Sequence, residues 1–393
     1  MNKTFKSING INFTYYGIIL QSIFLLLSCN GKTSTNSNPN DSWPIFRGDP
    51  SLSAYTNVSL PDNPTLYWTF NSHLSTNSSL VVYNRIVYWS SKRGDLFGID
   101  CEGNIYFEYA METAVVASPM IHNSVLYIGC VNGFLHAISL TKREKLWSFE
   151  TRGQISASPN IMNLEGTDVI IIGSYDNFLY CIASKTGKEI NRFESSYYIN
   201  GAVAQSDKYA VFGGCDGWVR VVDCINGIQT DSLDIETYIP ASPAIFNNQC
   251  YIFDNSENFV EINLSKGKIV SSKKIILSKD ATLSSFSIPA VSPLMVYWVS
   301  CDKHLYAMNR KDRSSAWKYL LKGEAGESAP IVCKNKLLVC TKNGIISIHN
   351  AITGNLLWEF DTGEQIMGSP AVINDYFFVL TSKGRLFCFG EKV

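Results

Sequence analysis

The feature that most limits what this chain can become is an internal repeat of about forty residues. Ser118-Pro119, Ser158-Pro159, Ser242-Pro243 and Ser369-Pro370 recur, with Ile288-Pro289 and Ala329-Pro330 as variants. Gly201-Ala202 and Ser78-Ser79 occupy the same slot without proline, so successive units start at 78, 118, 158, 201, 242, 288, 329 and 369. Each unit keeps one internal order. An apolar strand such as Val125-Leu-Tyr-Ile-Gly129 leads to a polar turn such as Asn132-Gly133 or Asp216-Gly217. An alternating strand such as Phe178-Leu-Tyr-Cys-Ile182 follows, then a second turn, often Thr186-Gly187 or Thr353-Gly354. The unit closes on Lys145-Leu-Trp-Ser-Phe149, Ser315-Ala-Trp-Lys-Tyr319 or Leu356-Leu-Trp-Glu-Phe360.

Four short strands per unit, joined by Asn-Gly and Asp-Gly pairs that suit two-residue type I′ turns, make a small antiparallel sheet. Such a sheet cannot bury both faces alone. Repeated around an axis, each sheet packs on the next and only short edges stay open, so the sequence predicts an all-β chain folded as a β-propeller. Proline is tolerated at the head of the first strand, beside the central channel. No window outside the N-terminus has helical periodicity. The last unit holds three strands and then stops, while Leu66-Tyr-Trp-Thr-Phe70 supplies the missing closing pattern. The expectation is therefore an eight-bladed β-propeller whose N-terminal strand completes the C-terminal blade. A seven-bladed ring would leave one unit unaccounted for.

The N-terminus reads as an export signal. Lys3 and Lys6 precede an apolar stretch from Tyr15 to Leu27, too short to span a bilayer. It ends in Leu26-Leu27-Ser28-Cys29, similar to a bacterial lipobox, and a Ser/Asn/Thr/Pro-rich run follows. Residues 1–28 are expected to be a lipoprotein signal peptide, 29–42 a tether lipidated at Cys29, and 43–393 the propeller. Asn30 after the cysteine favours sorting to the outer membrane, facing the periplasm, by similarity to proteobacterial lipoproteins. With 33 Lys+Arg against 34 Asp+Glu and no basic run, no nucleic-acid partner is expected.

The repeat unit resembles that of the pyrroloquinoline-quinone (PQQ)-like β-propeller family. Ile348-His-Asn-Ala-Ile-Thr-Gly-Asn-Leu-Leu-Trp358 matches its tail, and Trp43-Pro-Ile-Phe-Arg-Gly-Asp49 is similar to the segment that precedes the ring in many members. The resemblance covers about residues 43 to 390. It implies that Trp147, Trp317, Trp358 and, through ring closure, Trp68 dock each blade onto its neighbour, a role physically suited to so large an apolar side chain.

Three functions compete, because a fold does not carry one. The first is a non-catalytic, monomeric scaffold similar to the BamB-type lipoproteins, with protein partners in the envelope such as the β-barrel assembly machinery and no cofactor. Its loop candidates are Met162 to Thr167 and Ser271 to Phe286, read as connections between blades. The second is a PQQ-dependent dehydrogenase. The chain has no adjacent cysteine pair of the kind such enzymes carry. The third is a ligand- or carbohydrate-binding propeller using aromatics such as Tyr197, Tyr198 or Trp218. No metal site is expected, because His73, His122, His136, His304 and His349 never pair at ligand spacing.

Eleven cysteines suggest a disulfide framework, yet the repeat argues otherwise. Cys181 and Cys388 share one repeat position and Cys215 and Cys301 another, so equivalent cysteines should face separate junctions, too far apart to bridge. Apart from Cys29, the ten are expected to be small packing residues.

Overall fold

The computed structural model describes residues 41–256, 258–275 and 288–391. Within them lie eight antiparallel blades of four strands each, and no α-helix. Blades 1 to 7 run Val81–Ala110, Met120–Glu150, Asn160–Glu194, Ala204–Asp234, Ala244–Ile275, Ala290–Leu320 and Ile331–Asp361 in chain order. Blade 8 takes three strands from Ala371–Gly390 and its outermost one from Thr65–Asn71, which pairs antiparallel with Arg385–Gly390. The ring is thus closed by a strand from the other end of the chain. The second strand of each blade is nearly continuous buried apolar sequence, as in Leu126, Tyr127 and Ile128, since neighbours cover both its faces.

Two details of the repeat differ from the sequence reading. The first strands begin two residues after 79, 118, 158, 202, 242, 288, 329 and 369, so the two slots without proline sit one residue later than their composition suggests. Without proline to mark the slot, a neighbouring small residue is an equally good match.

The turns also change type. Between second and third strands only the last turn residue is left-handed, as in Gly133 at φ 88° and Gly217 at φ 83°. Gly133 donates to Cys130 O at 3.1 Å, and Cys130 donates to Phe134 O. That is a type I turn followed by a left-handed residue rather than a type I′ pair. The type I′ turns join first and second strands, where both residues are left-handed: Asn84-Arg85, Asn123-Ser124 and Asn247-Asn248.

Every blade carries a one-residue bulge in its fourth strand, seven opposite the same third-strand position and blade 5 opposite a later one. The extra residues include Tyr67, Tyr106, Leu146, Ile190 and Leu357, which accounts for five exposed apolar side chains on the outer rim. A bulge re-aims the next side chain. In the seven regular blades that next residue is Trp68, Phe107, Trp147, Asn191, Asp231, Trp317 or Trp358.

Candidate functional site

The central channel is crossed by an N-terminal strap, residues 43–56. Trp43 pairs with Val82 in blade 1, and Ile121 of blade 2 donates to Pro44 O at 2.8 Å. Asn160 Nδ2 of blade 3 and the Gln205 amide of blade 4 both donate to Pro50 O, at 2.7 and 2.8 Å. Ile245, Val291 and Val332 of blades 5, 6 and 7 donate to Ser51, Ser53 and Ala54 O. One short segment therefore satisfies the inner edges of seven blades, which would otherwise present unpaired amides to the channel.

Arg47 lies in the middle of the strap, 2% exposed. Its Nε donates to Leu52 O at 2.8 Å and its Nη2 to Pro289 O. Burial lowers its pKa to about 9, partly offset by the charge of Asp49. Burial also raises the Asp49 carboxyl, against hydrogen bonds from Ser51 and Ser53.

The repeat slot itself forms a collar at one mouth of the channel, over Phe46 of the strap. Ser79 N donates to Ser118 Oγ at 2.8 Å, Ser118 N to Ser158 Oγ at 3.2 Å, and Ala202 N to Ser242 Oγ at 2.9 Å. Ala329 N donates to Ser369 Oγ at 3.1 Å, and Ser369 N to Ser79 Oγ at 2.9 Å, closing the circle. The bond forms wherever the following blade has serine in the slot. The recurrence visible in the sequence is thus an inter-blade hydrogen bond as well as a strand start.

Inside the collar is a cavity of about 470 Å³, floored by Phe46 and walled by Ser, Ala, Asn and Gln side chains. Glu327 is its one charged lining residue. A PQQ-type quinone carries several carboxylates and is bound by cations and a metal. This wall offers no cation, and among the described residues no three His, Cys, Asp or Glu side chains are grouped to hold a metal ion. The residues present do not fit that cofactor.

Around this mouth the surface is unequal. Blades 2 to 5 and their connections expose Val131, Tyr175, Tyr197, Trp218 and Tyr238. Tyr175 stacks on Tyr198 with ring centroids 4.7 Å apart, and Tyr198 lies 4.4 Å from Tyr197. At the turn positions of Val131 and Tyr175, blades 7, 8 and 1 carry Lys342, Ser382 and Lys92.

The four tryptophans sit at four separate junctions. Trp68 Nε1 donates to Cys101 O at 2.7 Å, linking blade 8 to blade 1. Trp147 Nε1 donates to Ser184 O at 3.0 Å, blade 2 to blade 3, and Trp317 Nε1 to Ala351 O at 3.1 Å, blade 6 to blade 7. Trp358 meets Phe377 and Phe389 of blade 8 edge-on, at 5.8 and 5.4 Å. Sequence reasoning missed that Phe107, Asn191 and Asp231 occupy the same slot. Counting ten residues on from Ala137, Cys181, Val221 and Ala307 reaches Trp147, Asn191, Asp231 and Trp317, a spacing that would have revealed Asn191 and Asp231 but not Phe107, nine residues after Gly98.

The loop candidates fare differently. Met162 to Leu164 and Thr167 are strand residues of the first hairpin of blade 3, so that segment lies within a blade and not between two. Ser271 to Ile275 belong to the fourth strand of blade 5, and 276–287 lie outside the described residues. Cys29, the signal segment 1–28 and the tether up to residue 40 also lie outside them. Of the other ten cysteines, none in a disulfide, eight are buried, while Cys215 and Cys301 are half-buried. Cys181 and Cys388 do fall in separate clusters of the core, but Cys181 shares one with Cys224 and Cys388 one with Cys101.

A family model described as outer membrane protein assembly factor BamB matches residues 56–204 and 215–392. The chain is 21% identical over 280 residues to the protein of that name from Shewanella oneidensis, covering 66% of this chain and 67% of the relative. The Moranella endobia protein of the same name is 19% identical over 307 residues, covering 78% and 69%. Among solved structures, BamB from Moraxella catarrhalis superposes with a TM-score of 0.69 at 17% identity, over 84% of this chain and 98% of that one. Quinohemoprotein alcohol dehydrogenase from Comamonas testosteroni gives 0.73 at 13% identity, over 91% and 82%. At such identities the structural likenesses show the eight-bladed fold alone, and both functions share it. The family match spans most of the ring, and on it the chain belongs to the family of the outer membrane protein assembly factor BamB.

Proposed function

We propose that this chain is a non-catalytic scaffold of the bacterial envelope that takes part in assembling outer-membrane β-barrel proteins. The observation that carries the reading is the family match across nearly all of the ring. The channel mouth supports it, because its wall has no cation and so lacks the groups a quinone enzyme needs. Residues 1–28 direct export, Cys29 carries the lipid, 29–42 tether, and 43–393 fold as one propeller facing the periplasm. The four tryptophans hold blades together and are not offered to a ligand. Protein partners engage the aromatic sector of blades 2 to 5, where exposed Tyr197, Trp218 and Tyr238 give large contact area at low conformational cost.

Affinity purification of the full chain from detergent-solubilised envelopes tests this. Recovery of the barrel assembly machinery, reduced at least tenfold by Tyr197→Ala with Trp218→Ala, is the expected result. Recovery of a different partner, or unchanged recovery with the double variant, would refute the assembly role or the binding surface respectively. A Cys29→Ala variant should leave the membrane fraction.

A further inference from the structure

Two repeat positions meet across the blade junctions. One is the third-strand residue opposite the bulge-aimed slot: Ala137, Cys181, Ala307 and Cys388. The other lies in the turn after the third strand of the next blade, where Ser184, Ala351 and Cys101 accept from the slot tryptophans. Between blades 3 and 4 this second position is Cys224, one residue beyond the strand Trp218–Asp223. The slot there holds Asn191 in place of an indole, and its Nδ2 donates to Ile225 O. Cys181 and Cys224 share one core cluster with Phe212, are 2% and 0% exposed, and lie within hydrogen-bonding reach of each other.

We propose that Cys181 and Cys224 are a dithiol that closes to a disulfide joining blades 3 and 4 while the ring assembles. The oxidant is an external disulfide, RSSR. The Cys181 thiolate attacks one of its sulfurs and releases RS⁻; Cys224, deprotonated, then attacks Cys181 Sγ and releases the second RS⁻. The two protein protons end on the two thiols formed, and the two electrons reduce RSSR to 2 RSH. In the finished ring both sulfurs are buried, and the hydrogen bond with Cys181, together with burial, holds the Cys224 thiol well above its usual range. Oxidation therefore belongs to the open junction and not to the folded protein.

Cys101 and Cys388 occupy the same two positions between blades 8 and 1. There Cys101 Sγ donates to Arg85 O at 3.0 Å, and Trp68 stands opposite Cys388. That pair serves as an internal control and is expected to stay reduced.

The test refolds the reduced full chain in a buffer of reduced and oxidised glutathione, alkylates free thiols and maps linked peptides by mass spectrometry. A Cys181–Cys224 linkage is expected as the dominant one, lost with dithiothreitol. The linked form should melt about 5 °C higher than the reduced one. Protein already folded in reductant should gain the link at least tenfold more slowly. Cys181→Ala and Cys224→Ala place at each position the residue that blades 6 and 7 carry there, so both variants should fold and neither should show the higher melting point. Recovery of Cys181 and Cys224 as alkylated thiols after oxidative refolding, or linkage of Cys101 to Cys388 in their place, would overturn the proposal.

Discussion

The ring is built from one repeat, yet its two arcs are held by different chemistry. From blade 6 round to blade 3 the bulge-aimed slots hold Trp317, Trp358, Trp68, Phe107 and Trp147 in unbroken order. From blade 3 to blade 6 the contacts at and beside the slots are polar, although Phe253 and Phe259 of blade 5 still pack on Trp298 of blade 6. Asn191 donates to Ile225 O, Asp231 Oδ2 accepts from Ile269 N at 2.8 Å, and Arg313 pairs with Glu261 at 2.7 Å. Glu261 is 1% exposed, and Arg310 ties the same junction to Tyr251 and Phe246. The aromatic arc gains from area removed from water, which tolerates imperfect geometry. The polar arc depends on each partner being present, because a buried group left alone costs more than the bond itself contributed. The strap compensates by crossing both arcs with bonds between backbone atoms, save at blade 3, where the Asn160 side chain makes the bond.

The sharpest break of this contrast is truncation of the slot. Trp317→Ala is expected to cost about 3–5 kcal/mol, and Asn191→Ala only about 1 kcal/mol, read from urea unfolding midpoints. Equal losses would mean that the strap, and not the slot, holds the blades.

A smaller effect comes from the turn beneath each slot. Gly354 sits at φ +77° with the Trp317 ring 2.6 Å from where a Cβ would lie, while Gly227, at φ +66°, meets Arg192 O at 3.0 Å. Both substitutions to alanine pay for a left-handed backbone, about 1–2 kcal/mol. Gly354→Ala must also displace an indole, so its thermal midpoint should fall further than that of Gly227→Ala.

Acid should loosen the arcs in different windows. His136, bonded to Ser148 Oγ at 2.8 Å in blade 2, has its pKa lowered from 6.5 to about 4 by burial, with Lys145 adding to the effect. Burial also lowers His349 in blade 7. The unfolded chain binds these protons first, so this contribution is complete above pH 6.5 and is lost as pH falls from there towards 4. In the polar arc, burial of Asp216 works against ionisation, but the hydrogen bond and charge of Arg220 hold its carboxyl below the usual 3.8. That contribution persists to about pH 3.8 and is lost below it. Amide exchange followed from pH 7 to 3 should show blades 2 and 7 opening before blade 4. A His136→Gln variant should flatten the earlier loss.

Much of this was legible in the residues. The Ser-Pro slot gave the unit, the truncated last unit and Leu66 to Phe70 gave ring closure, and Trp147, Trp317 and Trp358 marked the fourth strands. The slots held by Asn191 and Asp231 escape a reading by residue type, since both types are commoner in turns, and only the ten-residue spacing marks them. The strap was invisible for a different reason: it binds through Pro44, Pro50, Ser51 and Ala54 carbonyls, which any sequence supplies. Comparing cysteines at equivalent positions missed Cys181 with Cys224, because neighbours across a junction occupy different positions of the repeat.

By itself the sequence determined the all-β class, the eight units and their closure. Periodicity of burial is a local property, and one pattern repeated eight times leaves few ways to cover each sheet. Only the tertiary structure decided the path of the strap, the aim of each bulge and which thiols meet. Those depend on how one blade is rotated against the next, a relation between residues far apart in the chain that no local pattern encodes.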